Sequence, residues 1–214
     1  MPLTAINGAL ETMISLLPVN DPDANKFLTI LQKNVRRMNY LVSDLLDLAK
    51  LEGQERAEMF LDEVNVVEVL KSALHSVSDF AQEKNISLHL DLSGISEGSS
   101  LFWERDRVQQ AVFNLLDNAV KYTPPGGAVH LSAREADKSL VITITDTGLG
   151  IPKEHLARIF ERFYRVDRDR SREMGGTGLG LSIVKHIVEA HRGTVEAQSE
   201  LGRGSTFTLT FPKK

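Results

Sequence analysis

Two apolar stripes at heptad spacing open the chain and restrict the shapes it can take. Leu3, Ile6, Leu10, Met13 and Leu17 recur at alternating steps of three and four, and Phe27, Leu31, Asn34, Met38, Leu41, Leu45 and Leu48 repeat the pattern. Such spacing marks helices with a narrow apolar seam. Between them Pro18 to Pro22 breaks the helix, and Asp21 or Asp23 can cap the second one. Two antiparallel helices with seams this narrow do not cover each other. The expected solution is a four-helix bundle built by two chains, a homodimer through the N-terminal helices. The alternative is a hairpin packed back on the rest of its own chain.

The periodicity stops near Gly53 in a charged stretch, Glu52 to Glu58, which reads as a linker. The expected division is therefore a helical hairpin over 1–53 and a second domain over 54–214. In the second part Val67, Leu70, Leu74, Val77 and Ala81 mark a helix, and Ile86 to Leu92 a strand. Ser93 to Ser100 reads as a loop. Val108, Ala111, Val112, Leu115 and Ala119 give a second helix, and Ile183, Val184, Ile187, Val188 and His191 a last one. Val129, Leu131, Ala133 and Leu140, Ile142, Ile144 alternate as strands. Thr194 to Gln198 and Phe207, Leu209, Phe211 close the chain as a hairpin across Leu201 to Gly204. Grouped strands with three helices predict an α+β sandwich, one sheet covered on one face.

Composition narrows the function classes. With 42% hydrophobic and 25% charged residues among 214, the chain has the balance of a globular protein rather than a disordered one. A net charge of −4 argues against nucleic acid as a partner. Cys is absent, which excludes disulfides, zinc knuckles and thiol nucleophiles. No apolar run approaches the ~20 residues that span a bilayer, and no signal peptide opens the sequence. A cytoplasmic location without membrane contact is expected.

Three motifs carry chemistry. On a helix, Asn114, Asn118 and Lys121 fall at i, i+4 and i+7 and share one face, away from the apolar stripe. Amide oxygens suit Mg²⁺ bridging to phosphates, and Lys121 adds a point charge for them. Taken alone, this is first of all a solvated polar face. Next, the strand through Leu140 runs into Asp146-Thr-Gly148-Leu-Gly150. A carboxylate beside close-approach glycines can read a purine amino group while the backbone hugs the ring. An ordinary Asp-x-Gly turn is the alternative. Third, Gly175-Gly176-Thr177-Gly178-Leu179-Gly180 precedes a helix, so freed N–H groups and a helix N-terminus can hold an anion. It is neither a Rossmann fingerprint nor a Walker A loop. Between these motifs Phe160 to Arg165 leads into Val166 to Met174, rich in Arg and Asp, which reads as a mobile lid. Arg165, Arg168, Arg170 and Arg172 could close over a triphosphate, or be solvated.

In order and spacing these residues resemble the ATP-binding domain of sensor histidine kinases, the Bergerat-fold class shared with gyrase, Hsp90 and MutL. Asn114 to Tyr122 resembles the N box, Asp146 to Gly150 the first glycine box, Phe160 to Phe163 the F box and Gly175 to Gly180 the second glycine box. Gly202 to Phe207 resembles the last, smaller glycine box, and residues 1–52 the dimerisation helices. The resemblance implies a mixed, mostly antiparallel sheet with three helices. It implies that Asn118, with Asn114 close by, holds Mg²⁺ against ATP phosphates. Asp146 would accept from the adenine amino group and Tyr122 would flank the ring. Lys121, Arg165 and the backbone from Gly176 through Thr177, Gly178 and Leu179 to Gly180 would contact the triphosphate. Gly148, Gly150 and Thr206 join the nucleotide site by the same resemblance. Hydrolytic relatives carry a carboxylate base at the place of Asn114, and an amide takes no proton at neutral pH, so slow hydrolysis is expected. The implied partners are a second copy of the chain and a response-regulator receiver domain. A longer parent could carry a plasma-membrane anchor.

One departure matters. The family's phosphoacceptor His lies five residues before the Pro that Pro2 resembles, and here only Met1 precedes Pro2. The histidines are His75, His89, His130, His155, His186 and His191, all read as surface or packing residues. Any phosphotransfer is therefore expected in trans, with truncation the expected reason and a degenerate kinase the alternative. A non-catalytic nucleotide-binding and dimerisation module is the competing function. An ATPase or protein-serine kinase of the same fold is the other, against which Asn114 and the long hairpin argue.

Overall fold

A computed structural model of the protein describes residues 61–166 and 177–213, together with Ile6, Leu28, Ile30, Leu31, Val35, Met38 and Val42. The first apolar stripe apart from Ile6, the linker over 52–58, the lid from Asp167 onward, Gly175 and Gly176 lie outside the described residues. Arg168, Arg170 and Arg172 fall there too.

The described elements are β1 (Asp62–Asn65), α1 (Val66–His75), α2 (Ser78–Glu83), β2 (Ser87–Gly94), β3 (Ser100–Trp103) and α3 (Arg105–Tyr122). They continue with β4 (Ala128–Ala136), β5 (Ser139–Asp146), α4 (Lys153–Leu156), α5 (Gly180–Ala190), β6 (Thr194–Glu200) and β7 (Gly204–Pro212). The main sheet runs β2-β4-β5-β7-β6, and β1 pairs with β3 in a separate ribbon. β2 and β4 are parallel and every other neighbour is antiparallel, so the sheet is mixed and mostly antiparallel.

Period-two alternation explains which face is covered. Val129, Leu131 and Ala133 of β4, Leu140, Ile142 and Ile144 of β5, and Phe207, Leu209 and Phe211 of β7 are all buried. They meet the apolar stripes of α1, α3 and α5 in one continuous core. Each such aliphatic or aromatic side chain contributes roughly 1.5–3 kcal/mol by leaving water. The other face is polar. Register lays His89, His130, Thr145, Thr206 and Gln198 side by side across it, with the two imidazoles stacked 4.4 Å apart.

Three local features depart from the sequence reading. The helix expected through Val67 to Ala81 is two helices, because Ser76 caps α1 and its hydroxyl bonds back to the Ser72 carbonyl. Ser78 likewise donates to the His75 carbonyl across the break. The stretch read as a loop, Ser93 to Ser100, holds the end of β2 and the start of β3. The ribbon itself places Val64, Leu101 and Trp103 in the core, with the indole 4.9 Å from the Phe211 ring.

His191, at the C-cap of α5, anchors the start of α3. Its Nε2 accepts from the Glu104 N–H at 3.0 Å, and Nδ1, 2.8 Å from the Ile187 carbonyl, is the protonated nitrogen. In the N-terminal part, Leu28 and Val35 are buried against each other, whereas Leu31 (50%), Met38 (51%) and Val42 (46%) are exposed in the single chain. The last three lie at i, i+7 and i+11, one face of a helix.

Candidate functional site

Asp146 is the fourth member of an alternating series. Leu140, Ile142 and Ile144 face the helices, so the next residue of that parity, at the strand end, does too. Asp146 is 6% exposed. Oδ1 accepts from the Gly148 N–H at 2.8 Å and from the Ser205 N–H at 3.3 Å. Oδ2 has no hydrogen-bond partner among the described residues. Burial pushes this carboxyl above the ordinary carboxylate range, and the two N–H bonds only partly offset that. The side chain is thus a buried acceptor with one oxygen held by two backbone N–H groups and the other without a partner among the described residues.

The loop after Asp146 is welded to the end of α3. Leu149 N–H donates to the Tyr122 carbonyl, and Gly202 N–H donates to the Leu149 carbonyl at 2.7 Å. A Cβ at position 148 would stand 2.6 Å from Asp146 Oδ1 and 2.7 Å from the Tyr122 carbonyl oxygen, so only glycine fits there. Tyr122 itself is half-buried at the helix end, and Gly150 closes the loop at φ +69°.

Along α3 the buried residues Val108, Ala111, Val112, Leu115, Leu116, Ala119 and Val120 face the core, which leaves Asn114 and Asn118 half-buried beside it. Asn114 Nδ2 lies 3.5 Å from the Gly180 carbonyl oxygen, so it borders the first residue of α5. The Asn118 carboxamide has no hydrogen-bond partner among the described residues. Lys121 does not point to an open site: its Nζ pairs with Asp117 at 2.5 Å, one turn back on the same helix.

The segment before α5 is held from two sides. Thr177 Oγ1 accepts the Leu179 N–H at 3.2 Å, and the Leu179 side chain is fully buried in the core. Gly178, at φ +79°, puts its carbonyl on the Phe163 N–H at 2.9 Å and approaches the Phe163 backbone so closely that a Cβ would stand 3.0 Å from it. Among the described residues no side chain caps α5, and the N–H groups of its first turn carry the positive end of the helix dipole. Beside it Tyr164 OH lies 2.6 Å from His155 Nδ1, and the Arg158 guanidinium sits over the Tyr164 ring. Arg165 is half-buried, with Nη2 shielded from solvent.

The structure thus brings together Asp146, Gly148, Gly150 and Tyr122 in one corner, and Asn114, Gly180, Leu179, Gly178 and Thr177 in another, with Asn118 on α3 between Asn114 and Tyr122. Thr206 lies elsewhere. It sits on the polar face of the sheet, with its hydroxyl 3.1 Å from that of Thr145. Its neighbour Ser205, paired with Asp146 in register, is the residue whose N–H reaches the carboxylate. Parity from Phe207, Leu209 and Phe211 was the signal that could have found it.

Comparison with known proteins places these observations. Residues 103–214 match the family described as histidine kinase-, DNA gyrase B-, and HSP90-like ATPase, and residues 1–54 match the His Kinase A (phospho-acceptor) domain. The chain is 36% identical to the sensor histidine kinase RppB of Synechocystis over 99% of its own length and 46% of the relative's. It is also 36% identical to the sensor histidine kinase WalK of Bacillus subtilis, covering 100% of this chain and 34% of that one. It spans about half or less of the length of these relatives. Among solved structures, full-length ShkA in complex with AMPPNP superposes with a TM-score of 0.76 at 29% identity, over 100% of this chain and 44% of that one.

Proposed function

The chain belongs to the histidine kinase-, DNA gyrase B- and HSP90-like ATPase family and has the make-up of a two-component sensor histidine kinase core, and from that we propose that it binds Mg·ATP and passes the γ-phosphoryl group to a histidine presented in trans. The observation that carries this reading is the Asp146 carboxylate, buried, held at one oxygen and open at the other.

In this reading Asp146 Oδ2 accepts from the adenine amino group, Tyr122 flanks the ring, and Gly148 and Gly150 let the backbone come close. The N–H groups at the start of α5, with the backbone from Gly176 to Gly180, meet the phosphates. Lys121 reaches them by exchanging Asp117 for a phosphate oxygen, and Arg165 adds charge from the lid side. Among the described residues no group of three His, Cys, Asp or Glu gathers to hold a metal, and Asp117 is paired with Lys121. The donors that remain are the amide oxygens of Asn118 and Asn114, which fit a Mg²⁺ that keeps waters and takes its other ligands from phosphate. When bound, that ion offsets the charge on the phosphates during transfer. Asn114 accepts no proton, so water beside it is not activated and ATP is kept for the histidine acceptor.

Residues 1–53 act as the dimerisation hairpin and 54–214 as the catalytic domain. The exposed row Leu31, Met38 and Val42 supports a second copy as the cover of that helix face. The phosphoryl group then moves to an Asp of a response-regulator receiver domain, in the cytoplasm. Among the described residues no helix is long and apolar enough to cross a membrane. The competing reading is a non-catalytic nucleotide-binding and dimerisation module.

Incubation with γ-labelled Mg·ATP, alone and beside a chain carrying an intact phosphoacceptor helix, separates the two. Acid-labile, alkali-stable label on the added chain alone is the expected result. ATP binding without label on the added chain leaves the module reading, and label on this chain overturns transfer in trans.

A further inference from the structure

A helix of 18 residues such as α3 ends with carbonyl groups that need donors, and the end of α3 is where the Asp146–Gly150 loop is attached. Each carbonyl of its last turn has one. The Ala119 oxygen takes the N–H and the hydroxyl of Thr123. The Tyr122 oxygen takes the Leu149 N–H. The two between them, Val120 and Lys121, are both satisfied by a single group from outside, the ammonium of Lys84, at 2.8 Å and 2.6 Å.

Lys84 lies in none of the motifs that carry the nucleotide chemistry. It comes directly after α2, and its reach is fixed by the turn beyond it. Asn85, at φ 56°, puts its carbonyl on the Gly126 N–H at 2.7 Å, and Ser87 N–H donates to the Gly127 carbonyl. The α2–β2 turn therefore clasps the α3–β4 connection, and the Lys84 stem runs part-buried to the helix end. Burial lowers its pKa from the ordinary lysine value. A cation at a helix C-terminus also complements the helix dipole.

We propose that Lys84 is a positioning residue for nucleotide recognition: by bridging the Val120 and Lys121 carbonyls it fixes the last turn of α3, and through the Tyr122–Leu149 bond it fixes the loop that aims Asp146. The proposal deepens the ATP-binding reading and rests on it. Without the ammonium, two carbonyls lose their donor and the last turn frays toward water. The Leu149 tether loosens with it, while the β5 interior, held by β4 and β7, keeps its ladder.

The test is made on the whole chain with Lys84→Met, which keeps the stem without the donor, and Lys84→Arg, which restores donors. Two readouts are taken: calorimetric affinity for Mg·ATP, and amide hydrogen exchange at Leu149 against Ile142. Lys84→Met should bind Mg·ATP roughly tenfold more weakly. Its Leu149 amide should exchange faster while Ile142 is unchanged, and Lys84→Arg should recover both. Where Lys84→Met does not fold, Lys84→Gln, whose amide nitrogen ends one bond short of the ammonium and so does not bridge both carbonyls, takes its place with the same expectations. A folded Lys84→Met with wild-type affinity, or with Leu149 protected as in the wild type, overturns the proposal. Failure of the wild type to bind Mg·ATP overturns the nucleotide reading instead, and Leu149 exchange still decides whether Lys84 holds the loop.

Discussion

Replacing Asp146 by Asn isolates recognition from folding. Oδ1 of Asn can accept the Gly148 and Ser205 N–H groups as the carboxylate does, at 2.8 Å and 3.3 Å, so the loop keeps its anchors. The open Oδ2 becomes an NH₂, turning an ionised acceptor into a neutral donor that faces the adenine amino group. A hydrogen bond to a charged group contributes about 1.5–3 kcal/mol, so ATP should bind roughly ten- to 150-fold more weakly. A nucleotide with a 6-oxo group presents an acceptor instead, so the preference for ATP over GTP should shrink in the variant. Stability moves the other way. Because burial raises the folded-state pKa of Asp146, its protonated form is favoured by folding. That contribution is complete below the unfolded value and is lost as pH rises through the folded one, so at pH 7 the ionised group is a cost that Asn lacks. Calorimetry with Mg·ATP and Mg·GTP beside thermal unfolding at pH 7 reads both effects. An unchanged ATP affinity in a folded variant refutes the recognition argument. A melting temperature lowered by more than about 5 °C refutes the assignment of the carboxylate to binding rather than to structure.

Other perturbations test neighbouring parts. Gly148→Ala drives a methyl into Asp146 Oδ1 and the Tyr122 carbonyl, so it should destabilise by about 1–3 kcal/mol and weaken ATP; denaturant unfolding and calorimetry report both. Asn118→Ala should remove most of the gain that Mg²⁺ gives to nucleotide affinity while leaving metal-free binding near wild type, seen by titrating ADP with and without the ion. His191 is held neutral by burial, with its folded pKa below the usual value. Its contribution to stability should be complete above about pH 6.5 and fall as pH drops through that folded value. His191→Gln should flatten the fall of the urea midpoint below about pH 6.5.

How much was legible depends on the range of the interactions involved. α3, β4 and β5 follow from local periodicity, because long runs such as Val108 to Val120 and Leu140 to Ile144 bury one face. Asp146 stands out for the same reason, as a carboxylate where alternation calls for an apolar residue. β1 and β3 are four residues each, too short for a period to emerge, and only their pairing makes them strands. Apolar spacing runs straight through Ser76 and Val77, and the break there comes from serine hydroxyls bonding to carbonyls of the preceding turn. Thr206 and Ser205 differ by one position, which in a strand exchanges the two faces of the sheet. Lys84 and Lys121 show the limit most clearly. Which anion or carbonyl a lysine meets is decided by tertiary packing, and motif spacing does not contain that information.

The central claim is that Asp146 and Asn118 are two ends of one nucleotide site. Titrating Mg·AMPPNP into isotopically labelled protein and following the Gly148 and Ser205 amides with the Asn118 side-chain amide tests it directly. The account predicts that all three shift together at the same ligand concentration, and that withdrawing Mg²⁺ reverses chiefly the Asn118 signal. Shifts confined to other regions, with these three unmoved at saturation, would contradict it.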